Sequence, residues 1–424
     1  MKKQIYIETY GCTANQNNSE IMAGLLTQVG NIITNNEELA DTIIINTCIV
    51  KGKTENKIKR RIQDLSRLDK QLIISGCMPE TDAKQLKKLN SNLILLGTHN
   101  FKNIANLLKD KEDKLEKRQE KKILTPKIPK NKLISIHQIS EGCLGQCTYC
   151  KTRLAKGKLH SYPIQEIVKS IEQDLQQGAK EIWLTSQDNG CYGLDFKEKT
   201  HLLPKLLKKI LALKHRFKLR LGMTNPNHIL PILEQLIEIY KNPKMFKFLH
   251  IPIQSDSDKV LKDMNRKYKI KDIEKIITSF KKEFPNIVIA TDIITGYPTE
   301  SIADHKKNLN FIKTHKPDVF NLSKFSQHKG TLAENLKPLP MQTIKKRTSE
   351  LMKFHRETAK QNKEKYKNKI LKVFIEKKLE SNILEARDEN YNLILLTGNK
   401  TLLGKTLNVK INQIGVHHMV GSIV

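Results

Sequence analysis

Short apolar runs that end at turn residues, separated by amphipathic stretches, fill the first hundred residues of this chain. "QIYIETYG", "DTIIINT", "QLIISG" and "NLILLG" read as strands, with helices over 18–29 and 54–68 and another after "QLIISG". Runs of this length between amphipathic helices mark parallel strands buried on both faces. A cysteine follows the end of each of the first three strands: Cys12, Cys48 and Cys77. Successive cysteines are about one strand–helix–strand unit apart. Parallel strands carry all their carboxyl ends to one edge of the sheet, where open α/β folds bind ligands. Three cysteines far apart in sequence are therefore expected at one site. The competing reading is three unrelated core thiols, since free cysteine is often buried.

The alternation stops and then resumes. Residues 109–132 have almost no apolar periodicity and two prolines, which reads as a linker. From 133 the runs "KLISIHQIS", "EIWLTSQ", "FKLRLGM", "FKFLHIPIQ", "NIVIATDII" and "DVFNLSKFS" read as six strands with helices between them. Six such repeats predict an incomplete TIM-like barrel, open on one side, with its chemistry at the strand C-termini. Residues 341–366 read as a long basic helix. Beyond about 370 the pattern changes to five short strands with no helix, which predicts a small antiparallel barrel of the OB-like kind. The expected division is 1–108, linker 109–132, 133–360 and 361–424.

"EGCLGQCTYC" gathers Cys143, Cys147 and Cys150 on one loop after the first barrel strand. Three thiolates on a tight loop suit three irons of a cubane cluster whose usual complement is four cysteines. One iron would then be left for a substrate-derived group, as catalytic zinc sites keep an open position. Zinc bound with a distant histidine is the alternative.

The chain of 424 residues carries a formal charge of +31, with only 11 arginines among its 75 basic residues. That balance favours a polyanionic partner such as nucleic acid, although a general bias towards lysine accounts for part of it. There is no run of about eighteen apolar residues and no secretory pattern at the N-terminus, so a cytoplasmic, reducing location is expected.

The loop Cys-x3-Cys-x-Tyr-Cys resembles the signature of the radical S-adenosylmethionine (SAM) family. "TYGCTANQNNSE", "INTCIVKGKTENK" and "SGCMPE", with "TSQDNGCYG", "RLGMTNP", "LHIPIQSDSDKVLKDMNRKY" and "TDIITGYPTES", resemble motifs of its methylthiotransferases along nearly the whole chain. The last five strands resemble that family's RNA-binding TRAM domain. The resemblance implies two [4Fe–4S] clusters, one on Cys143, Cys147 and Cys150 that binds SAM, and one on Cys12, Cys48 and Cys77 that delivers the methylthio group. It implies a 5′-deoxyadenosyl radical made by reductive cleavage of SAM. It places Tyr149 near the adenine of SAM, and Ser186, Gln187 and Gln254 at the cofactor pocket. "NTCIVKGKTE" and "CTYCKTRLAKGKLHSY" look most like the branch that acts on N6-threonylcarbamoyladenosine beside the tRNA anticodon. Isopentenyladenosine in tRNA, or an aspartate of a ribosomal protein, are the other acceptors to weigh. A non-catalytic RNA-binding protein with structural metal is the remaining alternative. An electron donor and a sulfur source are implied as partners, without identity. Two positions depart from the family pattern: Asn18, where Asp is usual, and Asp256, where Gly is usual and a side chain would strain the loop. Cys191 reads as an incidental thiol, and Arg153 and Lys156 as phosphate contacts or solvated lysine-rich surface. His250, His417 and His418 show no ligand spacing and read as structural.

Overall fold

The computed structural model describes residues 2–117, 120–379 and 381–424. Five strands build the first sheet: β1 (Gln4–Thr9), β2 (Ile32–Thr34), β3 (Thr42–Thr47), β4 (Gln71–Gly76) and β5 (Ile94–Gly97). All pair in parallel, in the order β2-β1-β3-β4-β5. β3 is buried at every position, as expected of a strand covered on both faces. Helices α1 (Thr13–Gln28), α2 (Gly52–Leu65), α3 (Cys77–Leu89) and α4 (Ile104–Asp110) cover the faces. β2 escaped the sequence reading because three residues at a sheet edge carry no period. The register brings the strand ends level, with Thr9 opposite Asn46 and Thr47 opposite Gly76. Cys12, Cys48 and Cys77 therefore follow three adjacent strands at one edge.

Residues 111–133 hold no helix or strand among those described; Arg118 and Gln119, inside the expected linker, lie outside the described residues. The six barrel strands follow, interrupted by a small ribbon of β7 (Ser140–Glu141) and β8 (His160–Ser161). β6 (Ile134–Gln138), β9 (Glu181–Thr185) and β10 (Lys218–Leu221) form one parallel sheet. β11 (Phe248–His250), β12 (Val288–Thr295) and β13 (Val319–Lys324) form a second. The two meet where Leu219 bridges Met245 and the Thr224 amide donates to His250 O at 3.1 Å. The result is an open six-stranded wall. Ile182, Leu184, Leu219 and Leu221 pack against the helices in one core. By the alternation of a strand, Trp183 and Arg220 turn to the other, concave side.

The long helix spans Met341–Glu364, so a division at 360 would cut its last turn. After it come β14 (Ile370–Lys378), β15 (Ile383–Arg387), β16 (Leu393–Thr397), β17 (Thr406–Ile414) and β18 (Met419–Ile423), closed into a barrel. Glu380, within the first of the strand runs read from sequence, lies outside the described residues. Four seams are antiparallel, and β16–β18 is parallel. An odd number of strands alternating in direction cannot close without one parallel pair. Among the described residues no helix is long and apolar enough to cross a membrane.

The small barrel docks on the amino ends of the open wall. Tyr391, on the loop between β15 and β16, packs on Phe246 and Phe248 at ring separations of 4.9 and 5.1 Å. Arg220 lies 5.0 Å from the same ring. Beside it sits a pair of buried carboxyls, Glu181 of β9 and Glu376 of β14. Trp183 Nε1 donates to Glu181 Oε2 and Arg387 Nε to Glu376 Oε1, each at 3.1 Å. Glu181 Oε1 and Glu376 Oε2 are left without partners. Burial, then the neighbouring Glu376, pushes the Glu181 carboxyl up to about 8. A retained proton gives the two orphan oxygens a donor to share.

A carboxyl whose pKa is raised by folding stabilises most below its unfolded value and loses that contribution as pH rises through the folded one. Docking of the small barrel is therefore expected to weaken between pH 4.5 and about 8. Glu181→Gln supplies a permanent donor. Its denaturation midpoint should match the parent near pH 4.5 and exceed it at pH 8, and an unchanged pH slope would contradict the shared proton.

Candidate functional site

The loops after β1, β3 and β4 are pinned to one another by buried polar side chains. Asn15 Nδ2 donates to Tyr10 O at 2.9 Å and Thr47 O at 2.8 Å. Asn46 Nδ2 donates to Asn15 O at 2.8 Å and Ser19 Oγ at 2.9 Å. Thr47 Oγ1 donates to Ser75 O and accepts from the Met78 amide at 3.0 Å. Asn15, Asn46 and Thr47 are fully buried, so each of these bonds is shielded from competing water. Gly11 has φ +98°, and a Cβ there would stand 2.6 Å from Cys48 Sγ. Its lack of a side chain keeps the space over that sulfur open.

The second cysteine set lies on the loop after β7, leading into α5 (Lys151–Lys156). The Gly145 amide donates to Cys143 Sγ at 3.2 Å. A Cβ on Gly145 would lie 3.3 Å from Cys143 Sγ and 3.7 Å from Cys147 Sγ, so the backbone forms a cradle between two sulfurs. Three helix starts face the sulfurs: Cys12 caps α1, Cys77 opens α3 and Cys150 caps α5. Free amides at a helix start favour negative charge.

These features fit iron–sulfur clusters. Burial pushes the Cys48 thiol up to about 11 and those of Cys77 and Cys143 up to about 12. Such thiols keep their protons until a cation replaces them. Among the described residues no three Cys, His, Asp or Glu close tightly enough to hold a single metal ion.

One cavity, with about 720 Å³ of empty space, is walled by the loop after Cys48 and by the end of the second cysteine loop. Ile49, Val50 and Lys51, which follow Cys48, line one side; Tyr149 and Cys150 line another, with Gln254 and Asp292 between. The structure thus brings Tyr149, Cys150 and Gln254 together. Ser186 and Gln187 are not among its walls, but Ser186 Oγ and Gln187 Oε1 are buried without partners at the end of β9. His250 joins the site by its Nε2 contact of 2.6 Å with Asp292 Oδ2. Lys51 and Lys324 also line the cavity; both are exposed, and neither side chain has a hydrogen-bond or ion-pair partner among the described residues.

Lys156, expected at a phosphate or in solvent, meets neither. It is buried, with Nζ on Thr98 Oγ1 at 2.5 Å and on Glu141 Oε1 at 3.3 Å. Arg153 is half-buried. Asn18 Oδ1 accepts from Gln138 Nε2 at 2.8 Å, a role an Asp oxygen also fills. Asp256 does not strain its loop: the left-handed residue is Gln254, with φ 65°. The Asp256 amide donates to Asn308 Oδ1 at 2.6 Å, and burial, then Glu274, pushes its carboxyl up to about 7. Cys191 is buried, with its sulfur on Asp188 O at 3.1 Å.

Sequence reasoning missed Arg266 and the joint between the two cysteine sets. Arg266 Nη1 donates to Cys147 Sγ at 3.0 Å. Lys151, next to Cys150, reaches across to the first sheet, with Nζ 2.6 Å from Asp82 Oδ2 and 3.1 Å from Glu55 Oε2. His328 Nδ1 stands 3.4 Å from the same Glu55. In "CTYCKTRLAKGK" these lysines look like any others; their partners are far away in sequence.

Residues 4–97 match Uncharacterized protein family UPF0004, and residues 138–312 match the Radical SAM superfamily. The chain is 35% identical over 429 residues to a Pyrococcus horikoshii protein called probable threonylcarbamoyladenosine tRNA methylthiotransferase, covering 99% of each. It is 36% identical over 438 residues to a human protein called threonylcarbamoyladenosine tRNA methylthiotransferase, covering 100% of this chain and 74% of the human one. Among solved structures, the fold is similar to the radical S-adenosylmethionine methyltransferase TsrM from Kitasatospora setae, with cobalamin and a [4Fe-4S] cluster bound. The TM-score is 0.57 at 12% identity, over 79% of this chain and 77% of that one.

Removing Lys151 leaves Glu55 and Asp82 buried without their cation, a loss of about 3–5 kcal/mol. Lys151→Met is expected to lower the denaturant midpoint of the cluster-free chain accordingly. The triple variant Lys151→Met, Glu55→Gln, Asp82→Asn should recover most of it. Equal losses in both would remove the ion pair from the account.

Proposed function

We infer the function from one premise: this chain belongs to the threonylcarbamoyladenosine tRNA methylthiotransferase family. It is a radical SAM transferase that inserts a methylthio group at C2 of N6-threonylcarbamoyladenosine in tRNA, next to the anticodon. It uses SAM and [4Fe–4S] clusters.

In our reading Cys143, Cys147 and Cys150 hold the cluster that binds SAM, and Cys12, Cys48 and Cys77 hold the second. The carrying observation is the cavity walled on one side by the residues after Cys48 and on another by Tyr149 and Cys150. When bound, these groups supply reductive cleavage of SAM and the methylthio group. The chain supplies everything else. The helix starts at Cys12, Cys77 and Cys150 offset the negative charge of thiolate-bound clusters. Tyr149 gives the cavity an apolar wall, and Gln254, Ser186 and Gln187 offer polar atoms that orient the cofactor. Lys51 and Lys324 stand unpaired at the wall, where an acceptor carrying a carboxylate would meet them. The threonyl group carries one; an isopentenyl group does not. The terminal barrel is assigned to RNA binding, and the reaction to the reducing cytoplasm. A low-potential one-electron donor and a sulfur source complete the partners.

Anaerobic incubation of the reconstituted protein with unmodified, isopentenylated and threonylcarbamoylated tRNA, followed by nucleoside mass spectrometry, tests this. The methylthio group should appear on the threonylcarbamoyl nucleoside. Cys147→Ala should abolish 5′-deoxyadenosine and product alike. Cys48→Ala should keep part of the 5′-deoxyadenosine and lose the product; thiomethylated product from Cys48→Ala would reject the division of labour.

The double variant Lys51→Met, Lys324→Met should raise KM for the threonylcarbamoylated tRNA roughly ten- to hundredfold, the worth of a charge-assisted hydrogen bond. Iron content should not change. A wild-type KM would remove these lysines from acceptor recognition.

A further inference from the structure

Arg266 lies inside the run "LHIPIQSDSDKVLKDMNRKY", on the turn after the helix Asp258–Asp263, and the sequence reading gave it no role. Its guanidinium is held from three sides. Nη1 donates to Cys147 Sγ at 3.0 Å, Nε donates to Tyr268 OH at 2.8 Å, and Nη2 donates to Asn225 Oδ1. Tyr268 is itself fixed, its hydroxyl donating to Pro252 O and Ile253 O at 3.0 and 3.1 Å. Asn225 passes the connection on: its Nδ2 donates to Asp188 Oδ2 at 2.7 Å and its amide to Asp188 Oδ1 at 3.0 Å. The backbone is clamped as well. The Thr148 amide donates to Met264 O at 3.2 Å, and Asn265 Nδ2 donates to Gln146 O at 2.8 Å. The cysteine loop and the Arg266 turn therefore form one rigid piece.

Cys147 belongs to the trio assigned to the SAM-binding cluster, and the role of Arg266 rests on that assignment. We propose that Arg266 is a positioning residue that sets the one-electron potential of that cluster through its N–H bond to the Cys147 sulfur. Reduction adds one electron from a low-potential donor and with it one unit of negative charge shared by the iron–sulfur core and its thiolates. No bond is made or broken. A cation fixed 3.0 Å from a ligand sulfur favours the more negative state, and hydrogen bonds to cluster sulfurs are a recognised lever on potential. Lysine would bring charge without the planar fork that meets Cys147, Asn225 and Tyr268 together. Asp188 makes the arrangement polar. It is 1% exposed, and its charge acts on the Cys143 thiol. Asn225 thus ties the guanidinium at Cys147 to the Asp188 carboxylate.

The test uses the full chain with Cys12, Cys48 and Cys77 all replaced by Ala, so that one cluster remains. Reconstituted protein is titrated potentiometrically with the reduced cluster read by electron paramagnetic resonance. Arg266→Met should load iron and sulfide as the parent does and move the midpoint to lower potential. The expected displacement is at least tenfold in the one-electron equilibrium, about 59 mV. Arg266→Lys, which keeps the charge but not the fork, should fall between the two. A parental midpoint in a fully loaded Arg266→Met overturns the proposal. If Arg266→Met fails to load, Arg266→Lys decides alone: a parental midpoint there overturns the proposal, and a lowered one upholds it. If the parent itself binds no cluster on the remaining cysteines, the assignment of the trio fails instead, and the two failures are told apart by its iron content.

Discussion

Lys151 joins the two chemical halves of this molecule. Its ammonium is buried between Asp82 of α3 and Glu55 of α2, on the helices that cover the first sheet, while its backbone directly follows Cys150. The cores on the two sides are largely separate, with Ala155 of the second side packed into the first, so polar contacts such as this one set one cysteine set against the other. A second buried ion cluster stands nearby. Lys122 and Lys156 both meet Glu141, and Thr98 accepts from both lysines. The Coulomb pull of Lys122 and Lys156 holds the Glu141 carboxyl down to about 2 against its burial. Buried charges of this kind add little net stability over apolar packing, but an unmatched one is costly, so they specify a single docking of the halves. The same Lys156 charge acts on the Cys77 thiol. A residue that docks one half thereby also sets the electrostatics of the other half's sulfur site.

Charge was the least transparent part of the sequence. A net +31 pointed to a polyanion, and Arg153 and Lys156 after the cysteine loop read as phosphate contacts or solvated residues. Lys122, Lys151 and Lys156 are instead interior residues that match carboxylates. Composition reports how many cations a chain has and nothing about which are spent inside. The unpaired lysines that matter, Lys51 and Lys324, stand at the ends of a loop and a strand separated by most of the chain. Their convergence is a property of topology.

The elements were legible for the opposite reason. Buried parallel strands need continuous apolar runs, and those runs are visible one by one; β2 was too short to leave one. Cys12, Cys48 and Cys77 were legible as a set because strand ends in a parallel sheet share an edge, and the register of Thr9 with Asn46 and Thr47 with Gly76 delivers that. The Arg266 bond to Cys147 spans more than a hundred residues and obeys no local rule. The Asp256 departure was misjudged because strain was placed by residue type. The left-handed backbone falls two residues earlier, at Gln254, and Asp256 finds an acceptor for its amide in Asn308. The Glu181–Glu376 pair was hidden too, since two carboxylates on strands of different sheets carry no mark of meeting.

The terminal barrel decides from which side the site is approached. Tyr391 sits among Phe246, Phe248 and Trp183 at the amino ends of the wall, with Arg220 against its ring. The concave side is thereby filled at its base. The opposite end, at the carboxyl ends of β11 and β12, carries His250, Gln254 and Asp292 and opens into the cavity between the cysteine loops. Under the proposed function a nucleobase enters there, at the wall that Lys51 and Lys324 line. The closed barrel comes last in sequence, and its docking at the amino ends of the wall leaves the carboxyl ends uncovered by it. The proposed function thus assigns holding and reacting to different ends of one strand set.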